Sequence, residues 1–223
     1  MMTNLFSTFD PSTSMNLSMN WASTLMGLMI MPMMYWLMPN RHSMFFQNLN
    51  KMMNKEFNTL LNSTSSGFSI MLVSLFMFIM MNNLLGLMPY MFTSSSHLSF
   101  TMTLGLPMWL SMMVYGWANS SEMMFAHLIP NGTPNMLMPF MVVIETTSNL
   151  IRPGSLAVRL TANMIAGHLL MSLLGNSMME SKMIIMPMIF IVQMMLMTFE
   201  VAVSLIQAYV FSVLTTLYSS EVN

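Results

Sequence analysis

Residues 155–170 read SLAVRLTANMIAGHLL. Most of this stretch suits hydrocarbon, yet Arg159 stands near its middle, and Asn163 and His168 follow. A charge at the bilayer centre costs at least about 2.5–3.5 kcal/mol. An apolar helix therefore keeps one where it is paired or used. The rest of the chain makes the membrane setting plain. Of its 223 residues, 55% are hydrophobic and only 6% are charged, against about 25% charged in an ordinary soluble domain. The expected class is an all-α polytopic membrane protein forming a single membrane domain over residues 1–223.

A bilayer core needs about 20 apolar residues in a helix. After a polar N-terminal segment, 1–19, a first span is expected at 20–38, with Pro32 as a source of a kink. Residues 44–66 are too polar to span. Phe45, Leu49, Met52, Met53, Leu60 and Leu61 gather roughly on one face, which predicts an amphipathic helix lying in the interface. Further spans are expected at 67–91 and 98–118, the second ending in interfacial aromatics. Residues 119–134 read as an irregular loop, given their proline and glycine.

Two segments, 135–176 and 182–219, are each about twice a perpendicular crossing. Each is a pair of short spans or one long tilted helix. RPGS at 152–155 offers a dividing point only in the first. Two long tilted helices joined through GNSMMESK, 175–182, are favoured. Arg41, Lys51 and Lys55 lie between the first two spans. The positive-inside rule places them on the matrix or cytoplasmic side, with the N-terminus outside and, after five crossings, the C-terminus inside.

Glu145, Arg152, Arg159, His168 and Glu200 all fall in the two long segments. At 100° per residue, Glu145, Ser148, Arg152, Ser155, Arg159 and Asn163 form one polar stripe. His168, nine residues past Arg159, faces the other way. In the last segment Gln193, Glu200, Ser204 and Gln207 share a side. Arginine keeps its proton at any working pH and is a fixed cation, whereas histidine and carboxylates exchange protons. Proton-passing groups around one unyielding cation suit ion transport past a barrier. Nothing in the sequence suits hydrolysis: no nucleophile with a base, no phosphate loop and no metal-ligand spacing. No cofactor is expected.

Other function classes drop out on composition. The formal net charge of -1 gives no basic field for nucleic acid, and zero cysteines remove thiol chemistry. Methionine, at 38 residues, is spread through every apolar run rather than clustered as for copper. A genetic code that reads an isoleucine codon as methionine, as in mitochondria, would produce such drift. No presequence or cleavable signal is evident at the start, so a mitochondrial product would be made inside the organelle.

SLAVRLTANMIAGHLL, with MPFMVVIETTSNLIRPG before it, closely resembles the subunit a family of rotary ATP synthases in its mitochondrial form. FAHLIPNGTP, NNLLGLMPY and QAYVFSVLTTLYSSEVN agree, and the resemblance covers essentially the whole chain. It implies a non-catalytic proton-channel subunit of the mitochondrial inner membrane. Implied partners are a ring of proteolipid c subunits, a peripheral stalk, small membrane subunits and a soluble ATPase head, with protons as cargo. The family's essential arginine maps to Arg159, with Asn163 one turn on. The histidine–carboxylate unit of the entry half-channel maps to His168 and Glu200, the glutamine facing the arginine to Gln207, and the other carboxyl to Glu145. In that mitochondrial setting, the orientation expected from the positive-inside rule puts the N-terminus in the intermembrane space and the C-terminus in the matrix. Arg152 is unassigned, with pairing to Glu145 or Ser148 as its structural role. His42, His97 and His127 are read as loop or interface histidines. An antiporter would show inverted repeats, and none is seen. A mere assembly subunit would tolerate loss of Arg159 and Glu200.

Overall fold

A computed structural model describes residues 4–13, 17–32, 38–61, 66–129 and 133–222. Seven α-helices account for most of them: α1 (Ser23–Ile30), α2 (Arg41–Leu60), α3 (Ser66–Gly86), α4 (Leu98–Asn119), α5 (Ser121–His127), α6 (Met138–Glu180) and α7 (Met186–Val222). Short 3-10 turns occupy Leu5–Phe9, Met19–Ala22 and Ser94–Ser96. Helices prevail because hydrocarbon offers no partner to backbone N–H and C=O groups, and a helix satisfies them within itself. Among the described residues four segments are long and apolar enough to cross a bilayer: Gly67–Gly86, Leu98–Asn119, Met138–Glu180 and Met186–Ser220. The chain is a polytopic all-α membrane protein.

α6 has 43 residues and runs unbroken past Pro153. At about 1.5 Å per residue it is about 65 Å long, twice a hydrocarbon core of about 30 Å. Such a helix fits a bilayer only with a strong tilt. Pro153 is buried against α4, where a methyl group on Gly105 would come 3.7 Å from its carbonyl oxygen. The small residue lets the two backbones approach, as membrane helices favour. α7 packs against both α3 and α6, and α4 against α6.

The structure corrects several expectations. The α6–α7 connection is not 175–182: α6 continues to Glu180 and the turn occupies residues 181–185, closed by Ile185 N donating to Lys182 O at 2.9 Å. GNSMMESK lacks proline, and the turn falls just before Pro187, which sits comfortably in the first turn of α7. The loop expected at 119–134 opens with α5, since its proline and glycine begin only at Pro130. Glu122 in the first turn of α5 complements the helix dipole. α3 stops at Gly86 rather than reaching 91, ahead of Pro89, whose ring disfavours a helical residue before it. α1 ends at Ile30, so Pro32 lies beyond it and kinks nothing there. The eight residues of α1 span only about 12 Å. Residues 33–37 of the expected first span lie outside the described residues.

α2 is amphipathic with a finer division than expected. Met53, Phe57 and Leu61 enter a common core with Leu72, Phe76, Ala208 and Phe211. Phe45 and Met52 instead remain 64% and 66% exposed. Phe57, left out of the sequence-derived face, is 0% exposed. The Tyr209 hydroxyl donates to Glu56 Oε2 at 3.2 Å, fixing α2 beside the C-terminal half of α7. Phe57→Ala is expected to cost roughly 3–5 kcal/mol. This would show as a clear fall in the thermal inactivation temperature, with Phe45→Ala changing it little.

Candidate functional site

The sequence-predicted polar residues fall into three groups along α6. The middle group centres on Arg159. Arg159, Ser155 and Asn163 are exposed, and Arg159 has no hydrogen-bond or ion-pair partner among the described residues. Asn163 Nδ2 donates to Gln207 Oε1 of α7 at 3.1 Å, one turn from Arg159. Gln207 and Ser204 are buried, and the Ser204 carbonyl accepts from Asn83 Nδ2 of α3 at 3.5 Å. The polar side of α7 thus turns inward, while the Arg159 face of α6 is left open by this chain.

The second group lies towards the α6–α7 turn. The Glu200 carboxylate packs directly on Gly167: a methyl group built there would overlap it. The next residue, His168, places Nε2 2.8 Å from the carbonyl oxygen of Gly86 in α3. Its ring meets Phe9 edge-on, with centroids 6.2 Å apart. No hydrogen bond joins His168 to Glu200 among the described residues. They occupy one level of the bundle through the adjacent positions Gly167 and His168. Gln193, about two turns from Glu200, is half-buried and hydrogen-bonds to none of the others. Gly167→Ala should leave assembly unchanged, because Glu200 is flexible at its far end, but should move the carboxylate. If Glu200 serves ion transport, the transport rate is expected to fall with no change in thermal stability. Normal flux would show that the position of the carboxylate is unimportant.

The third group lies at the other end of α6. Arg152 Nη2 contacts Glu145 Oε1 at 3.4 Å, and its guanidinium lies over the Tyr218 ring, 5.1 Å from the centroid. Arg152 therefore has the Glu145 partner considered from sequence. Ser155 Oγ donates to the Arg152 carbonyl at 2.9 Å, and Ser148 is half-buried nearby on the same helix. A cleft of about 710 Å³ opens here, with Trp109, Trp117, His127, Glu145, Arg152 and Tyr218 in its wall. The stripe from Glu145 to Asn163 is continuous on the helix but not in its surroundings. α4 and α7 flank its start and Asn163 at its end reaches Gln207 of α7, while the Arg159 side chain between them stays exposed.

Sequence reasoning missed three members. Phe9 and Gly86 reach His168 from far along the chain, a pairing that carries no local signal. His127 was set aside as a loop histidine, although it falls inside the FAHLIPNGTP motif.

Fold and site together define a polytopic helical membrane protein with its charged and titratable groups strung along two long packed helices. Comparison with known proteins gives the family. The family described as ATP synthase A chain matches residues 13–220, and the chain belongs to it. Among curated relatives, ATP synthase subunit a of Aedes aegypti is 61% identical, that of Anopheles gambiae 60% and that of Drosophila yakuba 56%. Each match covers 100% of both chains.

Proposed function

We propose that this chain is the proton-conducting stator subunit of a mitochondrial ATP synthase. It would provide two aqueous half-channels to a neighbouring ring of carboxyl-bearing c subunits, with Arg159 as the barrier between them. The carrying observation is the separation along α6. His168, with Glu200 of α7 at its level, lies on one side of Arg159 and Glu145 lies in a cleft on the other, and the exposed Arg159 between them has no partner among the described residues. Glu145 and Arg159 are about 21 Å apart along the helix axis.

In this reading a proton enters at the Glu200–His168 level and passes to a ring carboxylate. The neutral acid then tolerates lipid, and the ring carries it round until it faces the Glu145 cleft. There the carboxyl returns its proton to water. The carboxylate so formed is held by Arg159, which carries no exchangeable proton at working pH and so blocks direct passage between the half-channels. Asn163 and Gln207 tie α6 to α7 beside that charge. One charge crossing 100 mV gains about 2.3 kcal/mol, so several protons must be coupled mechanically to each ATP made in the soluble head. Peripheral stalk and small membrane subunits would hold the stator still.

Charge and packing support an assignment of sides. Arg41, Lys51 and Lys55 belong to α2, which lies beside the C-terminal half of α7. Tyr218 of that half lies under Arg152. The positive-inside rule then supports a matrix-facing Glu145 cleft and C-terminus. Phe9 at His168 supports an N-terminus on the intermembrane-space side.

The chain contains no cysteine, so single substitutions can be labelled cleanly in the assembled complex. Asn149→Cys, in the cleft wall, is expected to react with a membrane-impermeant maleimide only from the matrix side. Gln193→Cys should react only from the opposite side. Reaction of both from one side would overturn the two-half-channel reading.

A further inference from the structure

The Glu145 cleft has a second proton-exchanging group on its wall, on a different element. His127 is the last residue of α5, is exposed, and lines the same cleft as Glu145. α5 is held to α4 by an edge-on contact of Phe125 with Trp117, with centroids 4.8 Å apart. His127 is therefore a fixed part of the rim. The charged and titratable groups facing it across the cleft are Glu145 and Arg152 of α6 and Tyr218 of α7. α4 contributes the indoles of Trp109 and Trp117, which do not titrate. Glu122, at the other end of α5, is absent from the cleft wall.

We propose that His127 is the outer proton-relay residue of this cleft, receiving protons from Glu145 and releasing them to the aqueous phase. The inference rests on the proton-channel reading above. The step is a proton transfer alone. The protonated Glu145 carboxyl gives its proton to the neutral His127 imidazole, directly or through water. It is left as a carboxylate facing the Arg152 guanidinium. The resulting imidazolium then gives the proton to bulk water and returns to the neutral form. The arrangement gives each group a physical reason. Glu145 is only partly exposed and already engaged by Arg152, and His127 is the cleft-wall residue besides Glu145 itself that exchanges a proton near neutral pH. Histidine is the side chain whose charge changes near physiological pH. Its place at the C-terminal end of α5, where the helix dipole favours positive charge, suits the imidazolium stage.

The test uses the intact complex in inside-out vesicles, where the cleft faces the medium on the proposed orientation. His127→Gln keeps hydrogen bonding but cannot carry a proton. It should slow ATP-driven pumping severalfold and change its pH profile. Millimolar imidazole in the medium should restore the rate, and His127→Glu should retain most activity with its profile moved to lower pH. Assembly is checked by the amount of intact complex on a native gel. Slow pumping in His127→Gln with an unaltered pH profile and no response to imidazole would show a structural role and overturn the proposal. Normal pumping in His127→Gln beside failure of Glu145→Gln would refute the relay while leaving the proton channel standing. Normal pumping in both variants would remove the cleft from the proton path, and the channel reading with it.

Discussion

Arg159→Gln is expected to abolish ATP-driven proton pumping in a complex that assembles normally. Within this chain the Arg159 side chain is exposed and holds no partner among the described residues. Its removal breaks no contact of the bundle, so folding should be intact. A positive charge at membrane depth costs several kcal/mol, and no partner among the described residues offsets that cost. In the proposed reading a ring carboxylate supplies the offset. Glutamine neither attracts that carboxylate nor repels a proton, so on the proposed reading the two half-channels would lose their barrier. Coupled pumping should fall to background, and passive proton leak through the membrane sector should rise. Arg159→Lys tests the geometry: it keeps a charge but loses the planar fork that engages a carboxylate at two points, and coupling should recover little. Normal coupling in Arg159→Gln would make the arginine a structural cation and would sink the mechanism, though the helical fold would stand.

Glu200→Gln is the second large effect. The carboxylate sits on Gly167 beside His168, in the proposed entry path. Glutamine has nearly the same volume and should pack in the same place without strain. It cannot accept and release a proton, so flux in either direction should be lost while the assembled complex keeps its thermal stability. Glu200→Asp keeps the exchangeable proton on a shorter stem and should retain a measurable part of the rate. ATP synthesis by energised vesicles checks both variants. Full synthesis with Glu200→Gln would place the entry path elsewhere, leaving His168 or ordered water to supply it. Together with Gly167→Ala this separates chemistry from placement: the first removes the proton-carrying group, the second only displaces it.

Sequence made the long hairpin readable because two segments stayed apolar at about twice the length of a bilayer crossing. It also gave the polar stripes, since residues three and four apart share a helix face. Helix ends were read less well. GNSMMESK was expected as the connection, yet α6 absorbs all of it up to Glu180, because packing and internal hydrogen bonding outweigh the weak preference of single residues. Phe57 was overlooked because α2 has apolar residues on two adjoining faces. Periodicity alone does not say which face meets protein and which meets lipid.

The sequence by itself determined the membrane class, the helical character and which polar side chains share a face of their own helix. These depend on residues close together along the chain, where hydropathy and helical period act. The tertiary structure alone decided what each face meets. It set His168 against Gly86 and Phe9, Glu200 on Gly167, Asn163 on Gln207 and Arg152 over Tyr218. It brought His127 to the cleft of Glu145 and left the Arg159 face open. The physical reason is that lipid rewards every apolar face about equally. The choice among faces then rests on close packing at small residues and on a few polar contacts between residues far apart in the chain.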